Sequence, residues 1–117
     1  MTSKIEKGKF GTTILKLYGD ISAYQTDSFK RTLSRLAHME DGPKNIIIDL
    51  HDVGVIDPLA LGVLTSMARI VREDGGDIRF ANMCPGIRRL FDQTRLALTY
   101  EIYGNVGEAA KSYRYLR

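Results

Sequence analysis

The sequence predicts an α/β domain, a mixed sheet of about five strands with about four helices packed on it. Three observations predict it. Two short strand-like runs open the chain with no helix between them. After them, runs of helical period and runs of strand character alternate to the C-terminus. Near the middle, "NIIIDL" is too short for a helix, is flanked by breakers, and is apolar on both faces, as a strand covered on both sides must be.

The elements follow in order. "SKIEKGKF" and "TTILKLY" read as a strand pair with a turn at Gly11; Ile14 and Leu15 point to opposite faces, and "GDIS" ends the pair. Residues 24–37 read as a helix, because Phe29, Leu33, Leu36 and Ala37 share one face while Lys30, Arg31, Ser34 and Arg35 fall largely off it. "EDGP" stops this helix before the "NIIIDL" strand. A second helix is expected from Pro58 to about Glu73, ended by "DGG" with Gly75 or Gly76 in the left-handed conformation. "DIRFANM" reads as a strand. "CPGIRRLFDQT" reads as a short helix burying Ile87, Leu90 and Phe91. "LTYEIY" alternates like an outer strand, and "NVGEAAKSYRYL" reads as a closing helix capped by Asn105. Strands joined through helices pair in parallel by right-handed crossovers.

With 117 residues the chain is expected to form one domain over residues 1–117. Its 44% hydrophobic and 26% charged content is ordinary for a water-soluble core-forming protein. Cys84 is the only cysteine, so no intramolecular disulfide can form, which suits a reducing compartment. No apolar run nears the ~20 residues of a membrane span, and "MTSKIEKGKF" lacks a signal-peptide core. A cytoplasmic protein without membrane insertion is expected. The net charge of +3 is spread along the chain. The basic, aromatic tail "KSYRYLR" reads as a solvated terminal helix, and no nucleic-acid partner is expected.

The stretch "VIDPLALGVL", residues 55–64, is the most informative. Asp57 stands where a helix N-cap belongs, with its carboxylate in reach of the N–H of residue 59 or 60. Pro58 takes the first helical position, where a missing N–H is no loss. At about 100° per residue, Ala60, Leu64, Met67 and Val71 form the core face. Gly62, Ser66, Arg69 and Glu73 form the wet face, with Leu59, Val63 and Ile70 between them. Leu59 in the first turn is expected to be half exposed. Gly62 on the wet face costs roughly 1 kcal/mol against Ala and leaves a notch beside Leu59. Either the notch receives a partner, or Gly62 clears a neighbouring loop of the same chain.

Taken together, "GTTILKLYGDIS", the amphipathic helix, "GPKNIIIDLHDVGVIDPLALGVL", "GGDIRFANMCPGIRRLFDQT" and "EIYGNVGEAAK" at these spacings resemble a STAS domain of the bacterial anti-sigma factor antagonist type. The resemblance spans nearly the whole chain. It implies a small cytoplasmic module that is not an enzyme, needs no cofactor, and binds an anti-sigma factor, often a serine kinase with a nucleotide pocket. In that family the kinase phosphorylates a Ser or Thr at the helix start, which breaks the complex. The family pattern there is Asp-Ser-Ser/Thr-Gly-Leu-Gly; this chain has Asp57-Pro58-Leu59-Ala60-Leu61-Gly62. Leu59 stands at the phosphoacceptor position and has no hydroxyl, so no phosphorylation is expected there. The family commonly has an acidic residue three after the Gly of "GDIS"; Ser22 stands there, with Asp20 close by. The resemblance therefore implies a partner-binding surface of Asp20, Ser22, Asp57, Pro58, Leu59, Gly62, Val63 and Ser66, without the usual switch. Relatives that serve as accessory subunits of lipid-transport ATPases or as scaffolds of sensory complexes are the alternative.

Other chemistry finds no support in the sequence. His38 and His51 lack zinc-ligand spacing. Asp49, Asp52 and Asp57 read as loop-bonding and capping carboxylates, and no metal is expected. Cys84 before Pro85 has no evident histidine partner for nucleophilic work, and no catalytic residue is expected.

Overall fold

The computed structural model describes residues 2–37 and 45–114. Strands β1 (Thr2–Lys7), β2 (Thr12–Tyr18), β3 (Asn45–Asp52), β4 (Asp77–Ala81) and β5 (Ile102–Tyr103) lie side by side in chain order. β1 and β2 are antiparallel, and every later pair is parallel. Five helices accompany them among the described residues: α1 (Thr26–Ala37), α2 (Pro58–Glu73), α3 (Pro85–Gln93), α4 (Leu96–Thr99) and α5 (Val106–Tyr113). The α/β class, the mixed sheet and the parallel crossovers are as the sequence predicts.

β3 is central, and its isoleucines divide between two cores. Ile46, Ile48 and Leu50 join Leu15, Leu17, Phe80 and the apolar faces of α1, α2 and α3 in the larger cluster. Ile47 faces the other way, onto Ala109, Ala110 and Tyr113 of α5. Residues 46–50 are buried on both faces of the sheet, which is why the run needs no polar alternation; only His51 and Asp52 at the strand's end are exposed. The Tyr113 hydroxyl shares its one proton between the carbonyls of Ile46 (2.8 Å) and Asp77 (3.1 Å), tying α5 to β3 and to the start of β4. Arg79 is buried beneath α5, with its guanidinium 4.2 Å above the Tyr113 ring. Its Nη1 donates to Ser112 Oγ, and its Nε lies 3.5 Å from Asp77 Oδ2. Burial pushes the Tyr113 phenol well above its ordinary value, and the Asp77 carboxylate adds to the rise.

Three expectations need correction. "SKIEKGKF" is strand only as far as Lys7; residues Lys9–Gly11 form a one-turn 3₁₀ helix. Phe10 (φ 59°) and Gly11 (φ 72°) take left-handed backbone there, which no strand allows. "DIRFANM" ends as a strand at Ala81, because Asn82 turns to φ 62°. "LTYEIY" is mostly not strand. Arg95 at φ 63° breaks the chain after α3, and the Tyr100 N–H donates to the Leu96 carbonyl (2.9 Å), closing α4. Tyr100 is then buried edge-on to Phe80, with ring centroids 5.9 Å apart, while Leu98 is 85% exposed. Apolar alternation in this stretch came from one buried tyrosine and one stranded leucine, and only Ile102–Tyr103 pairs with β4.

The remaining elements fall close to expectation. A 3₁₀ turn at Ala23–Gln25 leads into α1, whose Phe29 and Leu36 are buried. The side chains of Leu33 and Ala37, together with His38, "EDGP" and residues 115–117, lie outside the described residues. Gly75 takes φ 86° after α2. α3 buries Ile87 and Phe91, with Leu90 only half-buried against the core. α5 is capped by Asn105, which accepts the Glu108 N–H at 2.8 Å.

Candidate partner-docking site

Two loops at the ends of β2 and β3 build the site. The Gly19 N–H donates to the Asp52 carbonyl (3.0 Å), and the Ile21 N–H to the Val55 carbonyl (2.9 Å). The Asp57 N–H donates back to the Ile21 carbonyl (2.8 Å), and Ile21 and Ile56 form an isolated parallel bridge. Both isoleucines are buried. The strand pair thus continues past its own ends and fixes Asp20 and Ser22 beside the start of α2. Asp20 is exposed and lies over Gly54, where an added Cβ would sit 3.4 Å from Asp20 Oδ1. Ser22 is half-buried. Its N–H donates to Gln25 Oε1 (3.0 Å), so it serves chiefly as the cap of the helical turn before α1.

Asp57 caps α2: its Oδ1 accepts the Leu59 N–H at 2.8 Å, and Pro58 occupies the first turn. The helix then buries Ala60, Leu61, Leu64, Met67, Ala68 and Val71. This arc runs further round than the predicted core face, since Leu61 and Ala68 are also inside. Leu59 is 59% exposed, as its position in the first turn predicted. Gly62 and Ser66 are exposed, and Val63 is half-buried.

Pro58, Leu59, Gly62, Val63 and Ser66 line one open depression of about 370 Å³. Lys30 of α1 and the edge of Met67 complete it. Five of the eight predicted residues therefore meet in one place. Asp57 holds the depression from below as the helix cap, and Asp20 and Ser22 stand on the adjoining loop. A Cβ added at Gly62 would meet nothing within 4 Å. Among the described residues Gly62 therefore clears no loop, and its notch is open.

Sequence reasoning missed Lys30 in this depression and two exposed apolar side chains on the neighbouring loops. Lys30 reaches the depression only because α1 packs beside α2, a tertiary adjacency with no local signature. Tyr24 is fully exposed on the 3₁₀ turn that abuts α2, and Val55 is 59% exposed on the loop before it. Neither exposure has a local sequence signal, since both follow from the fold.

Asp49 and Asp52 are engaged with groups of the chain itself. Asp49 is buried and accepts the His51 N–H (3.1 Å) and the Asn82 Nδ2–H (3.0 Å). Asp52 faces the His51 ring at 3.3 Å. Among the described residues no group of three His, Cys, Asp or Glu side chains could hold an ion. Cys84 is half-buried at the start of α3, with its Sγ 3.6 Å from the Gly54 carbonyl. The C-terminal run is not simply solvated as expected: Tyr113 is buried against the sheet with Ile47, Ala109 and Ala110. No helix among the described residues is long and apolar enough to cross a membrane.

The sequence profile of the STAS domain matches residues 4–109. The chain belongs to the STAS domain family. A relative named anti-sigma-B factor antagonist, from Bacillus subtilis, is 32% identical over 82 residues, which is 70% of this chain and 72% of the relative. The anti-sigma F factor antagonist of Paenibacillus polymyxa is 22% identical over 95 residues, 81% of this chain and 80% of that one. The crystal structure of an anti-sigma factor antagonist from Mycobacterium paratuberculosis superposes with a TM-score of 0.84 at 20% identity, covering 97% of this chain and 93% of that one. At that identity the superposition speaks for the fold alone.

Proposed function

We propose that this STAS domain is an anti-sigma factor antagonist: a binding module, not an enzyme, that regulates transcription by docking an anti-sigma factor of the serine-kinase type. The contact centres on Leu59, Gly62, Val63 and Ser66, with Pro58 and Asp57 at the helix start and Asp20 and Ser22 at its edge. Leu59 occupies the position where the resemblance places the phosphoacceptor. A phosphate there would have faced the N-terminal N–H groups of α2 and repelled or displaced a partner. A leucine supplies only apolar area, so the surface stays in its binding-competent form.

One observation carries this reading: the depression beside Leu59 is open, and nothing in the described chain explains the glycine that opens it. The names of the relatives support the partner class. The test is a tagged pull-down from the native cell extract with wild type and Leu59→Ala side by side. Recovery of a kinase-like anti-sigma factor by wild type, lost with Leu59→Ala, is the expected result. Recovery of a transporter or sensory assembly with no sigma regulator would overturn the antagonist role. Stoichiometric phosphate on Thr65 or Ser66 in protein isolated from cells would overturn the unswitched surface.

A further inference from the structure

The sheet ends on one side in β5, two residues long, and on the other in β1, six residues long, whose outer edge pairs with no strand among the described residues. Such an edge offers a row of peptide groups to any second strand, and charges along it usually repel one. Here the charges are arranged otherwise. Thr2, Lys4 and Glu6 alternate with Ser3, Ile5 and Lys7. Ile5 stands opposite Leu15 and so on the face of the larger core, and it remains 38% exposed. Lys4 and Glu6 share the α5 face, opposite Lys16 and Ile14 of β2. Lys4 directly across from Lys16 is a like-charge pair, which costs stability in a sheet. Among the described residues neither Lys4, Lys16 nor Glu6 has an ion-pair partner.

We propose that β1 is the interface for a second copy of this chain, paired antiparallel about a two-fold axis through Ile5. The geometry leaves few registers. A two-fold axis perpendicular to the sheet keeps each residue on its own face, so only residues of the same parity can stand opposite one another. A centre on Lys4 sets lysine against lysine. A centre on Glu6 sets glutamate against glutamate. A centre on Ser3 pairs only the first residues of the strand and leaves Glu6 outside. A centre on Ile5 sets Ile5 against Ile5, Lys4 against the second copy's Glu6, and Glu6 against its Lys4. The same charges that forbid the neighbouring registers select this one. The incoming glutamate also arrives beside the Lys4–Lys16 pair, supplying the counter-charge the monomer lacks.

Sedimentation of the purified chain over a range of concentrations is the experiment, with circular dichroism to confirm folding of each variant. Wild type is expected to shift with concentration from 13.1 kDa toward twice that mass. Glu6→Lys and Lys4→Glu should each abolish the shift, and the double swap Lys4→Glu/Glu6→Lys should restore it. In a Cys84→Ala background, Ile5→Cys should oxidise to a covalent dimer, whereas Lys4→Cys and Glu6→Cys should not, because only position 5 faces itself. A wild type that stays monomeric at every concentration, a double swap that does not recover, or equal cross-linking at position 4 would each overturn the proposal.

Discussion

Replacing Gly62 by alanine should move stability and binding in opposite directions. Gly62 is the fifth residue of α2, in helical backbone, and an added Cβ meets no atom within 4 Å. No steric cost offsets the gain in helix propensity, so the substitution should stabilise the fold by about 1 kcal/mol. For a domain of this size that is a rise in Tm of roughly 3–6 °C. The same methyl group projects into the depression beside Leu59. If a partner packs closely there, an overpacked methyl costs about 1–3 kcal/mol, or roughly 5- to 150-fold in Kd. Urea denaturation read by circular dichroism gives the first quantity, and titration calorimetry against the captured partner gives the second. A neutral or destabilised variant would refute the structural argument, because Gly62 would then have a duty inside the chain. A stabilised variant that binds as tightly as wild type would refute the docking argument alone.

The other predictions divide the site from its scaffold. Leu59→Ala should change stability by no more than about 0.5 kcal/mol, since the side chain is 59% exposed, yet weaken partner binding by about 5- to 30-fold, corresponding to roughly 1–2 kcal/mol of apolar contact. A variant that unfolds would place Leu59 in the core. Asp57→Ala should cost about 1 kcal/mol in denaturation experiments through loss of the bond to the Leu59 N–H, while Asp57→Asn keeps most of it because asparagine caps equally well. The raised Tyr113 phenol has a pH signature of known sign. Below about pH 10 both folded and unfolded states hold the proton and stability is unaffected. Above it the unfolded chain loses the proton first, so stability falls by about 1.4 kcal/mol per unit of pH from this group. Tyr113→Phe should destabilise the domain by about 1 kcal/mol at neutral pH, through loss of the shared hydrogen bond, and should flatten the alkaline fall relative to wild type.

Legibility in the sequence followed the range of the interactions. β3 could be read because six consecutive residues carry the whole signal, and α2 because its cap, proline and apolar period agree. "LTYEIY" misled because its alternation was real but its backbone was decided elsewhere, by the left-handed Arg95 and by the space beside Phe80 that Tyr100 fills. Within the site, the residues of α2 were legible from a helical wheel. Lys30 was not, because only the packing of α1 against α2 brings it there. Ser22 was legible as a turn residue but not as the partner of Gln25, since a capping box in front of a 3₁₀ turn shifts the expected helix start by two residues.

The face around Leu59 departs from what stability alone would select. A fold optimised only for itself would place alanine at Gly62, a polar residue at Leu59 and no aromatic at Tyr24. Each of these three positions is exposed, and none is needed to fill the core. Elsewhere the local choices agree with the global structure: Asp57 caps, Ile21 and Ile56 lock the loops, and Tyr113 satisfies two carbonyls. Local violations that gather on one surface, within a chain otherwise consistent, call for a compensating gain outside the chain. They gather where two hydrogen-bonded loops hold the start of α2 rigid, so the apolar groups are presented in fixed positions at little entropic cost to association. A surface that needed only to be tolerated would not have to be rigid. This rigidity, more than the loss of a hydroxyl at Leu59, argues that the corner binds a protein.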